Sequence, residues 1–140
     1  MVFDMLKLIV GLKGSGKTKQ LIELANKAVE VSPGHVVCVE KSNKLIFDVN
    51  HKVRLVDTEA YNVAGANELY GLVAGILATN YDVKDLFIDS ALKICGDDVA
   101  AWTEFMARLE KICEKFEVQC VCTSSIDHAD LPKALEQYVF

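Results

Sequence analysis

Eight consecutive residues, Gly11-Leu12-Lys13-Gly14-Ser15-Gly16-Lys17-Thr18, concentrate the chemistry of this chain. They fit the spacing G-x-x-x-x-G-K-[ST] at every fixed position. Glycines at 11, 14 and 16 permit backbone angles and close approach that a Cβ would forbid. Successive N–H groups of such a loop, backed by a helix N-terminus, surround a polyphosphate. In that arrangement Lys17 bridges the β- and γ-phosphates, and the Thr18 hydroxyl holds Mg²⁺. Average residue usage puts a chance match in a chain of this size at about one in two hundred. Binding of a nucleoside triphosphate with Mg²⁺ is the first expectation, with residues 11–18 around the phosphates.

Hydrophobic periodicity supplies the elements that must hold this loop. Residues 5–10 read as a strand running into the loop, and residues 17–29 as a helix leaving it, with Leu21, Leu24, Ala25 and Ala28 on one face. A turn at Ser32-Pro33-Gly34 leads to a second buried-type strand, residues 35–40. Residues 45–47 and 53–56 flank Asn50 and read as a hairpin or strand pair. A helix rich in small residues is expected over about 59–80, then a third strand at 85–89. Asp97 or Asp98 can cap a long helix with the stripe Trp102, Phe105, Met106, Leu109, Ile112, Cys113 and Phe116. Residues 118–123 form another strand, and Asp130-Leu131-Pro132 opens a last helix. Strands alternating with helices imply βαβ units. The expected fold is α/β: a three-layer sandwich around a mostly parallel sheet of about five strands, one domain over residues 1–140.

On the glycine-rich motif and its strand–loop–helix setting, the chain resembles the P-loop NTPases, specifically their additional-strand, RecA-like division. It is also similar to small bacterial ATP-binding proteins that carry the label of twitching-motility (pilus-retraction) ATPases. Those retraction motors are much larger, with arginine-bearing motifs that have no counterpart here, so the label does not transfer. The resemblance implies a second apolar strand ending in an acid that orders the Mg²⁺ shell. Leu86-Phe87-Ile88-Asp89 supplies it and makes Asp89 the magnesium-side residue; the rival run ending at Asp57 is broken by Arg54. Many members place a catalytic Glu directly after that Asp, where this chain has Ser90. RecA-like members keep a water-orienting Glu at the end of the strand after the loop helix. Glu40 stands in that place, either as that group or as a solvated strand-end acid. Thr123 and Ser124 end the last strand, where the division often keeps a polar group that senses the γ-phosphate.

The resemblance implies ATP hydrolysis, slow and coupled to a partner. Ser90 keeps open a module that binds nucleotide without hydrolysing it. A small phosphotransferase is the third reading, disfavoured because only Arg54 and Arg108 are available where phosphate-clamping lids use several arginines. No Asn-Lys-x-Asp follows the loop, which argues against a GTPase.

With 51% hydrophobic residues and a net charge of −5, the chain is too apolar and too weakly charged to stay disordered. Twenty acids against fifteen bases exclude a nucleic-acid binder that works by its overall field. The longest apolar stretch, 69–78, falls short of the roughly 20 residues of a membrane span, and no basic leader precedes the first apolar run. A cytoplasmic protein without a membrane partner is expected. Five cysteines without a Cys-x-x-Cys read as reduced packing residues. Finally, the loop-bearing strand is expected at a sheet edge, beside residues 118–123, then 86–89, then 36–40, with 45–56 outermost. Such an edge suits a second copy of the chain, a homo-oligomer contact, or an unknown protein partner.

Overall fold

Alternation along the strands decides which helix covers which face. The computed structural model describes residues 5–140, so the leader reading, which rests on residues 1–4, lies outside the described residues. Five strands, β1 (Leu6–Gly11), β2 (His35–Glu40), β3 (Arg54–Asp57), β4 (Val83–Ile88) and β5 (Gln119–Ser125), form one sheet in the order β1-β5-β4-β2-β3. Every pairing is parallel, as expected when helices connect successive strands.

Leu8, Val37, Val39, Leu86, Ile88, Cys120 and Cys122 point to one face. There they meet Leu69, Val73 and Leu77 of α2 (Ala66–Thr79) and Trp102, Phe105, Met106 and Leu109 of α4 (Val99–Phe116). The short α3 (Ala91–Ile94) lies in the same layer. Val36, Cys38 and Phe87 point the other way, onto Leu21, Ala25 and Ala28 of α1 (Lys17–Val31). The three layers and the strand order are those expected from the sequence.

Local chemistry sets the helix ends. The Asp98 carboxylate accepts from the Ala101 N–H at 3.0 Å and caps α4, and Glu117 ends it in the left-handed region at φ 55°. Asp98→Ala is expected to destabilise the fold by about 1 kcal/mol, read as a fall in Tm of about 2–4 °C in a thermal melt.

Three segments differ from the sequence reading. Residues 45–47 are turns, not a strand, and β3 pairs with β2 in parallel, so there is no hairpin. Leu45, Val49 and Val53 are the buried positions here; their spacing of four anchors a loop on α1, whereas a strand would bury every second residue. The helix expected over 59–80 is broken. A 3₁₀ turn at Glu59–Tyr61 ends at Asn62 (φ 56°), and α2 starts only after Gly65 (φ 92°), whose N–H bonds the Ile94 carbonyl. The last helix is 3₁₀ over Lys133–Tyr138, which puts buried Leu135 and Tyr138 three residues apart on one side.

β1 is an edge strand, as expected, but the chain's own tail reaches it. Val139 bridges Leu8, and the Phe140 N–H bonds the Leu8 carbonyl at 3.2 Å. The Lys7 ammonium sits 4.9 Å from the centre of the Phe140 ring. All five thiols are free and buried, and burial pushes those of Cys38, Cys95 and Cys120 up, away from the reactive thiolate. No helix among the described residues is long and apolar enough to cross a membrane.

Candidate functional site

The carboxyl ends of four parallel strands meet the start of α1, the crevice where open α/β sheets bind ligands. β1 ends at Gly11 and hands the chain to the loop. A Cβ at Gly11 would lie 2.5 Å from Ser15 Oγ, so any larger residue there would push the Ser15 side chain aside. Gly14 (φ 85°) and Gly16 (φ 87°) take left-handed angles that other residues adopt only under strain. The Ser15 N–H closes a turn on the Leu12 carbonyl at 3.1 Å, leaving Leu12 60% exposed and Lys13 on the surface. α1 starts without a side-chain cap and without an acid in its first turn. Its positive end therefore faces the loop uncompensated, which favours an anion there.

Lys17 is buried, and its ammonium turns back across the loop to donate to the Leu12 carbonyl at 2.8 Å and to Ser15 Oγ at 3.4 Å. Burial lowers its pKa, and the negative charge of Asp89 partly opposes that shift. Asp89 follows β4 directly. It accepts from the Thr18 hydroxyl at 3.2 Å (Oδ1) and 3.4 Å (Oδ2), and from the Thr123 hydroxyl at 2.7 Å. Thr123 also accepts the Ser90 N–H at 2.8 Å and so ties the ends of β4 and β5 together. Ser90 itself sits at φ 59°.

Glu40 ends β2. Val39 pairs with Ile88 and Ile88 with Cys122, so the residues that follow, Glu40, Asp89 and Thr123, stand side by side across three strands. Asp57 of β3 pairs with Glu40 and extends the row. Glu40 is only 3% exposed. Its Oε1 accepts from the Leu45 N–H at 3.4 Å and from Ser42 Oγ at 3.5 Å, whereas its Oε2 is buried with no partner. Burial raises the pKa of this carboxyl. The N–H groups of Leu45 and Lys44 pull it back, and the charges of Asp89 and Asp57 push it further up.

The sequence-predicted residues thus converge: Gly11 to Thr18 form the loop, and Thr18 touches Asp89. Glu40 is in the same row as a buried acid, which removes the alternative of a solvated strand end. Both arginines lie elsewhere. Arg54 is at the amino end of β3, and Arg108 rests over the Tyr70 ring at 3.8 Å while bonding Asn67. Among the described residues no three His, Cys, Asp or Glu side chains gather as a metal cage. Mg²⁺ does not require one, because it keeps several waters and is held by one or two protein oxygens plus substrate phosphates. Thr18 and Asp89 suit that mode. A cavity of about 320 Å³ lined by Tyr81, Val83, Phe116 and Val118 lies at the amino ends of β4 and β5, away from this site.

Periodicity and motif spacing missed two contributors. The Leu45 amide became visible only with the turn that brings it over Glu40. Asn26, on α1, accepts the Asn50 N–H at 2.7 Å and donates to the Asp48 carbonyl at 3.2 Å, clasping the loop after β2. Its one sequence signal was a poor helix former inside an otherwise favourable helical run. No protein-family model matches this sequence, and no curated protein matches it either.

Proposed function

We propose that this protein is a P-loop NTPase of the additional-strand, RecA-like kind, which binds ATP with Mg²⁺ and hydrolyses it slowly. The observation that carries the reading is the Thr18–Asp89 contact. It joins residues 71 positions apart at the mouth of a loop whose left-handed glycines and uncapped helix start suit a polyphosphate. Residues 11–18 bind the phosphates, with Lys17 between the β and γ groups. Thr18 and Asp89 hold the metal side, where Mg²⁺ when bound neutralises charge developing on the phosphate oxygens. Glu40 accepts a proton from, and so orients, the attacking water. Its unpartnered Oε2 and raised pKa are what a base desolvated beside its substrate displays.

Neither arginine reaches the site, so the intrinsic rate falls in the range of about 10⁻⁴–10⁻² s⁻¹, and a partner that supplies a cation adds several powers of ten. The protein works in the cytoplasm, where ATP is available. The part of the β1 edge left open by residues 139–140 is a contact for a second copy or another protein. Ser90 in place of an acid favours, as the second reading, a module that binds without turnover. A phosphotransferase has less support, because the arginines that would clamp a second phosphorylated substrate lie elsewhere.

Calorimetric titration with ATP, with and without Mg²⁺, tests the proposal. The wild type is expected to bind ATP more tightly with Mg²⁺. Asp89→Asn should retain ATP binding but lose about 10- to 100-fold in Mg²⁺ affinity. A wild type that binds no nucleotide would overturn the proposal.

A further inference from the structure

The loop between β2 and β3 presents a tip that the nucleotide site does not use. Phe47 is 94% exposed and Ile46 54% exposed. They are held out on an ordered base, because Leu45, Val49 and Val53 on either side are buried against α1 and Asn26 clasps residues 48 and 50. Lys41, Lys44 and Lys52 flank the tip in sequence and are all exposed. Residues 41–54 hold four of the fifteen cations of the chain and only one of its twenty acids, Asp48. An acidic protein has thus set aside one basic segment and placed two large apolar side chains at its centre.

We propose, against the expectation of no membrane partner drawn from the sequence, that this loop docks on an anionic lipid surface, with Ile46 and Phe47 entering the headgroup–acyl boundary and the flanking lysines meeting the headgroup charge. A protein interface needs about 800 Å² per partner around a buried apolar centre, and two adjacent side chains on a convex tip supply too little. A lipid surface needs only an insertable tip and nearby cations. The net charge of −5 opposes approach only weakly, since salt screens it beyond about 8 Å.

Sedimentation with vesicles tests the docking without any nucleotide. Wild type is expected to sediment with phosphatidylcholine vesicles containing about a third phosphatidylserine and to stay in solution with phosphatidylcholine alone. Phe47→Ser should lower that partition about tenfold or more, and so should the triple change of Lys41, Lys44 and Lys52 to Gln. Neither change touches the core, and a thermal melt verifies that both variants are folded. Absence of partition, equal partition by Phe47→Ser, or equal binding to neutral vesicles overturns the proposal. Retention by a polyglutamate peptide but by no vesicle does so too, and makes an acidic protein the partner.

Titration with ATP keeps the docking and nucleotide readings apart: a protein that binds vesicles but no ATP removes the nucleotide reading and leaves the docking surface standing.

Discussion

Lys17→Ala is expected to weaken ATP binding by about 10²- to 10⁴-fold, because a hydrogen bond to a charged group contributes about 1.5–3 kcal/mol and Lys17 would make one to each of two phosphates. In the free protein its ammonium bonds only the Leu12 carbonyl and Ser15 Oγ, neutral partners at the loop's own mouth. Burial outweighs the opposing charge of Asp89 and lowers its pKa below 10.5. Between the lowered value and 10.5 the unfolded chain binds the extra proton, so this group adds stability as pH rises and detracts from it at neutral pH. The affinity loss in Lys17→Ala should therefore come without a matching fall in Tm. Phosphates restore the ammonium, so ATP binding by wild type at alkaline pH should take up protons. Titrations in buffers of different ionisation enthalpy detect that uptake, which Lys17→Ala should lack.

This contrast between a local motif and its distant partners also marks what could be read from sequence. The loop was legible because its constraints are local: glycines that must turn left-handed, a lysine and a threonine at fixed offsets, a strand before and a helix after. Strand order was legible too. The apolar runs at 36–39, 86–88 and 120–122 belong to strands buried on both faces, and the topology of parallel crossovers leaves few ways to arrange them. What failed was wherever an apolar cluster served a turn. Leu45-Ile46-Phe47 looks like strand, yet only Leu45 goes inward, and the pattern that matters is its spacing of four to Val49 and Val53. Glycine-rich helix composition likewise hid the break at Asn62 and Gly65, where backbone angles outweigh periodicity. The state of Glu40 was unreadable for a deeper reason. Whether a strand-end acid is solvated or buried depends on where the following loop folds, and that loop is the segment the apolar pattern misassigns.

Burial of Glu40 gives the second prediction its unusual shape: Glu40→Gln should slow phosphate release about 10²- to 10⁴-fold while raising the Tm. Its carboxyl has a pKa above the usual 4.5, first because it is buried and further because Asp89 and Asp57 stand beside it in the row. A carboxyl whose folded pKa is raised gives its full share of stability below the unfolded pKa and loses it as pH rises through the folded one. At neutral pH, above the unfolded value, the carboxyl therefore detracts from the fold. Glutamine keeps the acceptor for the Leu45 N–H, carries no charge, and imitates the protonated acid. The difference in Tm between Glu40→Gln and wild type should be positive at neutral pH and close toward zero below about pH 4.5, the usual value for this group. Turnover by wild type should follow the opposite course and rise with pH as the carboxylate ionises. ATP affinity should stay within a few-fold, because the proposed phosphate contacts are those of the loop, Lys17 and Thr18. A binding module without turnover would show the gain in Tm and no rate to lose. An acid kept for the fold alone would lower the Tm when neutralised. Only a base held in place against its own solvation cost combines slower release, intact binding and a more stable protein.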